Sequence, residues 1–444
     1  MRILHYSLGF PPYRTGGLTK FCMDLMNQQI IDGHNVSLLW PGECRLFDSK
    51  TRIRHNKSVN GIGNYEIINP LPVSYDEGIK DFDIFMQAGD KRIYNCFLKQ
   101  LQPEVIHIHT VMGLHKNFML AAKELQIRIV FTAHDFFPIC PKVTMFRHGK
   151  ICESIYSCKE CGICNNTALS LGKIKILQSS LYRNIKDSKI IKKIRKQHRD
   201  EYLSDDPDRD NNGIVGFPDD YLRLRRHYQE MLSLVNVVHY NSTVTKEIYD
   251  RIFDVSQSRL ISITHSDISD HRIIKTFSDA KIRIRYLGPY GASKGFYILK
   301  KALDELWKER HDFCLDIHFV PKEISPYMIT HNRYNYGDLE NIFAETDVMV
   351  APSIWYETFG FTVLEALSYG VPVVISGTVG AKDILADGAG IVVENISAET
   401  LVDILRGLTS TTLTSMNMAI VNKQYIMTIQ DMAKEITDKC YMEV

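Results

Sequence analysis

Glu357 and Glu365, separated by seven residues, stand in PSIWYETFGFTVLEALSYGVPVV directly after an apolar run at 348–351. That run reads as a strand, the residues from about 361 to 369 as a helix stopped by Gly370, and those from Val371 as a second strand, which together make one βαβ unit. The loop after the first strand then lies at the carboxyl edge of a parallel sheet, where open α/β folds bind ligands. The backbone N–H groups of Phe359, Gly360, Phe361 and Thr362 open a helix N-terminus there, an end that attracts phosphate. Glu365, about one turn in, is placed for ribose hydroxyls, and Glu357 for the group on the far side of the phosphates. The chemistry expected is binding of a nucleoside diphosphate that carries a further substituent.

The elements that must position these residues recur along the chain. Residues 2–7 read as a strand, and Leu18, Phe21, Cys22, Leu25, Met26 and Ile30 recur at helical spacing before Gly33 and a strand at 35–40. Gly16 and Gly17 fall at that strand-to-helix turn, where the lack of a Cβ lets backbone approach a phosphate or sugar. Strands at 105–109 and 128–132 alternate with helices, so the sheet is doubly wound. His134 follows the second of these strands, on the side that faces a cleft, whereas His107 and His109 alternate with isoleucines as strand residues. Further on, Lys294 precedes Gly295 and a helix at 296–307, from which an ammonium reaches a diphosphate.

At 444 residues, 45% hydrophobic and 24% charged, the chain has the balance of an ordinary soluble protein of two or three domains. Its 53 basic and 52 acidic residues nearly cancel, which removes any global charge argument for nucleic acid. No h-region opens the chain and no apolar run approaches a membrane span, so a cytoplasmic location is expected. Five of its ten cysteines, Cys140, Cys152, Cys158, Cys161 and Cys164, crowd into 25 residues. Four thiolates so spaced can close a tetrahedral zinc site, the C-x2-C-x2-C run also suits an iron–sulfur cluster, and reduced free thiols are the plain alternative. Residues 171–200 hold ten Lys or Arg against two Asp, with Ile174, Leu177, Leu181, Ile185, Ile191 and Ile194 on one helical stripe. Such a helix either lies on an anionic membrane surface or packs its stripe on its own domain. No aromatic interleaving supports nucleic acid there.

The Glu-x7-Glu spacing, with its Pro-Ser, Phe-Gly, Leu-Glu-Ala and Gly-x-Pro-Val context, resembles the signature of retaining glycosyltransferase family 4. The resemblance implies an α/β protein with two Rossmann-like domains facing across a cleft, the GT-B fold. It places an acceptor domain at 1–278, with a Cys-rich and basic insertion at about 140–230. A nucleotide-sugar donor domain follows at 279–424, and a helix at 425–444 crosses back onto the first domain. It further implies transfer of a sugar from a nucleotide-sugar donor to an acceptor hydroxyl with retention, without a divalent metal, in cell-surface polysaccharide or other glycan synthesis. The implied acceptor is a glycan or a lipid-linked glycan, met at the cytoplasmic face of a membrane.

By the same resemblance His134 contacts hydroxyls of the donor sugar, Gly16 and Gly17 face its phosphate, and Lys294 binds the diphosphate. Glu357 positions the sugar and Glu365 the ribose. Some members carry comparable cysteines after a similar His-Asp and Cys-Pro segment, which favours a structural zinc held by Cys140, Cys152, Cys158 and Cys161. One departure is Gly288-Pro289, where the family usually has arginine after the glycine; Arg14, in the opposing loop, is the expected substitute. A non-catalytic nucleotide-binding member of a glycan-assembly complex and a nucleotide-sugar epimerase of the same architecture are the alternative readings.

Overall fold

The computed structural model describes residues 1–45, 48–147, 149–186, 188, 191, 193, 213–255 and 257–442. The first lobe contains β1 (Arg2–Tyr6), β2 (Asn35–Pro41), β3 (Arg52–Val59), β4 (Ile62–Ile68), β5 (Val105–Ile108) and β6 (Arg128–Ala133). It continues with a small hairpin, β7 (Phe146–Arg147) with β8 (Lys150–Ile151), then β9 (Val237–Tyr240) and β10 (Ser258–Leu260). Eight of these form one sheet in the order β10-β9-β6-β5-β1-β2-β4-β3, parallel throughout except for the β3–β4 pair. Every residue of β5 and β9 is buried, the near-continuous apolar run that a parallel strand covered on both faces requires.

The second lobe is a six-stranded parallel sheet made of β11 (Ile282–Tyr286), β12 (Phe313–Ile317), β13 (Met328–Thr330), β14 (Val348–Ala351), β15 (Val373–Ser376) and β16 (Gly390–Val393). Its order is β13-β12-β11-β14-β15-β16. Chain order reverses between β1 and β5 in one sheet and between β11 and β14 in the other. The crevice beyond such a reversal is where open sheets bind ligands.

Three elements depart from the sequence expectation. The β3–β4 hairpin is additional; β3 is mostly exposed and polar, so no apolar alternation announces it. The single basic helix expected across 171–200 is interrupted after Leu177, giving two short helices, Leu171–Leu177 and Ser180–Ile185; residues 187, 189, 190, 192 and 194–200 of that stretch lie outside the described residues. Tertiary hydrogen bonds break it. The Gln178 carbonyl accepts from the Cys44 N–H at 3.0 Å and its side-chain oxygen from the Val73 N–H at 3.0 Å, while Ser179 caps the second helix. The helix expected at 425–444 is shorter, Ile429–Ile436, running into a wider turn at Thr437–Tyr441, and a separate helix, Ser410–Lys423, precedes it.

That terminal segment packs on the helix Gly17–Ile31 and on β6 of the first lobe. One buried apolar cluster therefore takes Phe21, Leu25 and Val130 from the first lobe, Val363, Leu367 and Val373 from the second, and Met432, Ile436 and Tyr441 from the chain end. Each lobe also has a cluster of its own.

Candidate functional site

The loops that follow β11 and β14 meet at the switch point of the second sheet. Gly295 makes this possible: its φ is +77°, and an added Cβ would stand 1.8 Å from the Pro352 carbonyl oxygen. The Ser293 carbonyl then accepts from the Ile354 N–H at 3.0 Å, which joins the two loops. Gly360 (φ +101°) turns the second loop into the helix Phe361–Ser368, and this left-handed backbone suits glycine.

Between the lobes lies a cleft of about 480 Å³, lined by Gly17 from the first lobe and, from the second, by Pro289, Lys294, Glu357, Glu365, and Gly360 with Phe361 and Thr362 at the helix start. These predicted residues come together. Gly17 faces Phe361 closely enough that an added Cβ would touch its ring at 3.8 Å. Gly16 is beside the cleft without lining it, and its φ of +115° is what calls for glycine. Phe359 is buried in the shared apolar cluster and contributes packing there.

Lys294 and Glu357 form an ion pair in direct contact, and Trp355 braces both: its Nε1 donates to Glu357 Oε2 at 3.2 Å, and the Lys294 ammonium lies 4.9 Å from its ring centroid. Burial pulls the Lys294 ammonium down to about 7, whereas the adjacent carboxylate favours the charged form. Phe146, from the small hairpin of the insertion, meets Trp355 edge-on at 6.3 Å, so the insertion supports this corner of the site.

Glu365 is 3% exposed and accepts from His265 Nε2 at 3.2 Å. The His265 ring in turn stands edge-on to Phe361 and beside Tyr336, another residue of the cleft wall. Trp355, His265, Tyr334 and Tyr336 escaped sequence reasoning. The first lies inside the motif already read, but His265 reaches the site only because the crossover after β10 carries it there. Replacing Glu365 by alanine is expected to weaken nucleotide binding and also to destabilise the fold by about 1–3 kcal/mol, because a buried imidazole loses its acceptor. Glu365→Gln, which keeps an acceptor oxygen, should recover most of that stability in thermal denaturation.

His134 sits where the lobes touch. Thr358 of the second lobe donates to its carbonyl at 3.0 Å, and Phe21 packs edge-on against its ring at 4.6 Å. Ser242 and Thr243 add further contacts between the lobes, to the Thr358 carbonyl and Asp383 respectively.

Arg14 and the cysteines lie otherwise than expected. Arg14 does not line the cleft: its guanidinium stacks on Tyr13 and Tyr75, and its Nε donates to the Leu8 carbonyl. Nor do Cys140, Cys152, Cys158 and Cys161 assemble as a four-thiolate cage. No three of these thiols come within 4.8 Å of one another, a separation that a tetrahedral zinc site requires. Cys158 is fully buried in the first lobe's core, and Cys140, Cys152 and Cys161 pack, partly buried, against that core. Cys158 also takes a hydrogen bond from Cys161, which with Arg225 nearby draws its thiol down to about 7.

Residues 15–153 match the family described as Glycosyltransferase Family 4, and residues 322–424 the family described as glycosyl transferases group 1. An uncharacterised glycosyltransferase of Methanocaldococcus jannaschii is 23% identical over 397 residues, 87% of this chain and 83% of that protein. An uncharacterised 41.2 kDa protein from the cps region of Klebsiella pneumoniae is 28% identical over 134 residues, 28% of this chain and only 36% of that protein's length. The Anabaena protein HepE, solved in complex with UDP and glucose, superposes with a TM-score of 0.54 at 13% identity, covering 99% of this chain and 98% of its own.

Proposed function

Because this chain is a glycosyltransferase of the family 4 type with a GT-B fold, we propose that it moves a sugar from a nucleoside-diphosphate donor to an acceptor hydroxyl with retention of configuration. The observation that carries this reading is the interlobe cleft, with a cation, a carboxylate against it and a helix start on one wall, and a glycine-bearing loop on the other. The bond between the anomeric carbon and the phosphate oxygen breaks with its electron pair passing to the diphosphate. The ammonium of Lys294 and the N–H groups of Phe361 and Thr362 meet that charge. The acceptor oxygen bonds to the anomeric carbon on the face the phosphate leaves, and its proton passes to the departing phosphate oxygen. Glu357, released from Lys294 as phosphate takes the ammonium, orients the donor sugar, Glu365 the ribose, and His134 a sugar hydroxyl. No metal ion is invoked, since protein groups supply the positive potential.

Pro289, in place of the family arginine, favours a second reading: a nucleotide-binding partner in a glycan-assembly complex that transfers nothing. Incubation with a panel of nucleotide sugars and sugar or lipid-linked acceptors separates the two. Acceptor-dependent release of nucleoside diphosphate supports transfer; tight nucleotide binding with no release under any pairing supports the second reading; turnover without acceptor points to epimerisation.

A lipid-linked acceptor, proposed for cell-surface glycan synthesis, would bring the protein to a membrane. Ile176, Leu181 and Ile185 are exposed beside Lys173 and Lys175, which are exposed as well, while Ile174 is buried and Arg183 and Lys186 are held by the first lobe. Salt-sensitive co-sedimentation with anionic vesicles is the expected result. Equal sedimentation with neutral vesicles removes the proposal.

A further inference from the structure

We propose that five histidines of the first lobe, four buried and His134 half-buried, form one polarised hydrogen-bond chain that fixes the tautomer of His134 and leaves its Nδ1 bare, as an acceptor for a substrate hydroxyl. The last clause rests on the cleft being a sugar-transfer site; the chain itself does not.

Its direction follows from one fixed end. His239 Nε2 lies 2.8 Å from the Ile261 carbonyl oxygen, which can only accept, so the ring carries its hydrogen there. His239 Nδ1 must then accept, and does so from Thr132 Oγ1 at 2.9 Å. Thr132 has spent its one hydrogen and accepts from His107 Nε2 at 2.6 Å, which leaves His107 Nδ1 to accept from the Tyr441 hydroxyl at 2.7 Å. That hydroxyl now accepts only. The Gln29 amide must present its NH2 to it, at 3.0 Å, and therefore its oxygen to His5 Nε2, at 2.7 Å. His5 Nδ1 accepts in turn from His109 Nε2 at 2.9 Å, and His109 Nδ1 from His134 Nε2 at 3.2 Å.

Every group in the series donates the same way, and each of the five rings carries its hydrogen on Nε2. Burial holds all five far below the usual histidine range, so the neutral rings this assignment needs are the ones present. His134 Nδ1 is the one ring nitrogen in the series without a partner among the described residues. An atom with a lone pair and no hydrogen receives a hydroxyl or N–H and repels a phosphate or carboxylate oxygen. Tyr441, more than 300 residues away in sequence, thus acts as a positioning residue for His134, which stands at the contact between the lobes and is not among the residues lining the cleft.

His5, His107 and His109 also offer ring nitrogens within 4.8 Å of one another, a spacing compatible with a metal ion. Both nitrogens of all three are already engaged in the chain, so ligation would dismantle it.

Nitrogen–proton correlation NMR of the full-length protein with labelled histidine tests the assignment. At neutral pH all five rings should show the Nε2–H tautomer. Any of them as Nδ1–H, as a doubly protonated ring or as a metal ligand overturns the chain, whether or not a variant folds. Tyr441→Phe removes a single oxygen and should act on one side only. His107 and His239, still anchored at Ile261, keep their tautomer, whereas Gln29 is freed to turn and His5, His109 and His134 become mixtures. Unchanged spectra for those three overturn the polarity argument. Added UDP-glucose, UDP-galactose or GDP-mannose should shift His134 Nδ1 and leave His239 in place. If the tautomers hold and none of these donors moves His134, the hydroxyl-acceptor role falls while the chain stands.

Discussion

Lys294→Ala lowers turnover by about a hundredfold or more, the scale of removing one preorganised donor from a developing negative charge. Among the described residues no other lysine or arginine lines the cleft, and Pro289 occupies the position from which the family's second cation would act. Arg14→Ala, by contrast, should stay near wild type in turnover, because its guanidinium is committed to Tyr13 and Tyr75. Steady-state rates with a matched donor and acceptor check both. Near-wild-type activity in Lys294→Ala would remove the diphosphate site from this wall. The same lysine gives a pH signature. With its ammonium drawn down to about 7 by burial, the charged form that binds diphosphate is progressively lost as pH rises above that value. UDP affinity measured by calorimetry should therefore fall between about pH 7 and 9, and less steeply in Lys294→Arg, whose charge persists.

Gly295→Ala has the second large effect. The new methyl would stand 1.8 Å from the Pro352 carbonyl oxygen, and the backbone there is left-handed, so neither side-chain rotation nor a small shift relieves the clash. The loops after β11 and β14 must separate. The expected cost is about 3 kcal/mol or more, together with loss of detectable transfer, since Lys294 directly precedes this glycine in the chain. Gly17→Ala provides the contrast, because its methyl meets the Phe361 ring at an ordinary 3.8 Å. Thermal denaturation beside activity distinguishes the two. A Gly295→Ala protein as stable and active as wild type would show that the junction yields more easily than its geometry implies.

The second lobe was the more legible half. Its strands are apolar runs, its helix start is marked by Gly360, and its two glutamates are read in register with both. The first lobe showed its alternation but concealed its polar interior. His107 and His109 read as strand residues; His107 lies in β5 and His109 directly follows it, yet only the sheet order brings them beside His5 and Tyr441. The break at Gln178 was equally hidden, because the groups that hold it, Cys44 and Val73, are remote in sequence. The cysteine spacing left open which thiols turn inward. Cys158 does, and the core takes it.

The cluster that joins both lobes to the chain end limits how such proteins can be recombined. A two-lobed architecture invites the exchange of one half for another. In this chain residues 429–442 follow the second lobe in sequence, but Met432, Ile436 and Tyr441 are buried against the first. A chimera cut only between the halves would set a foreign tail against Phe21, Gln29 and His107. The functional inheritance unit of the first lobe is thus discontinuous, and an exchange that respects it needs two crossover points.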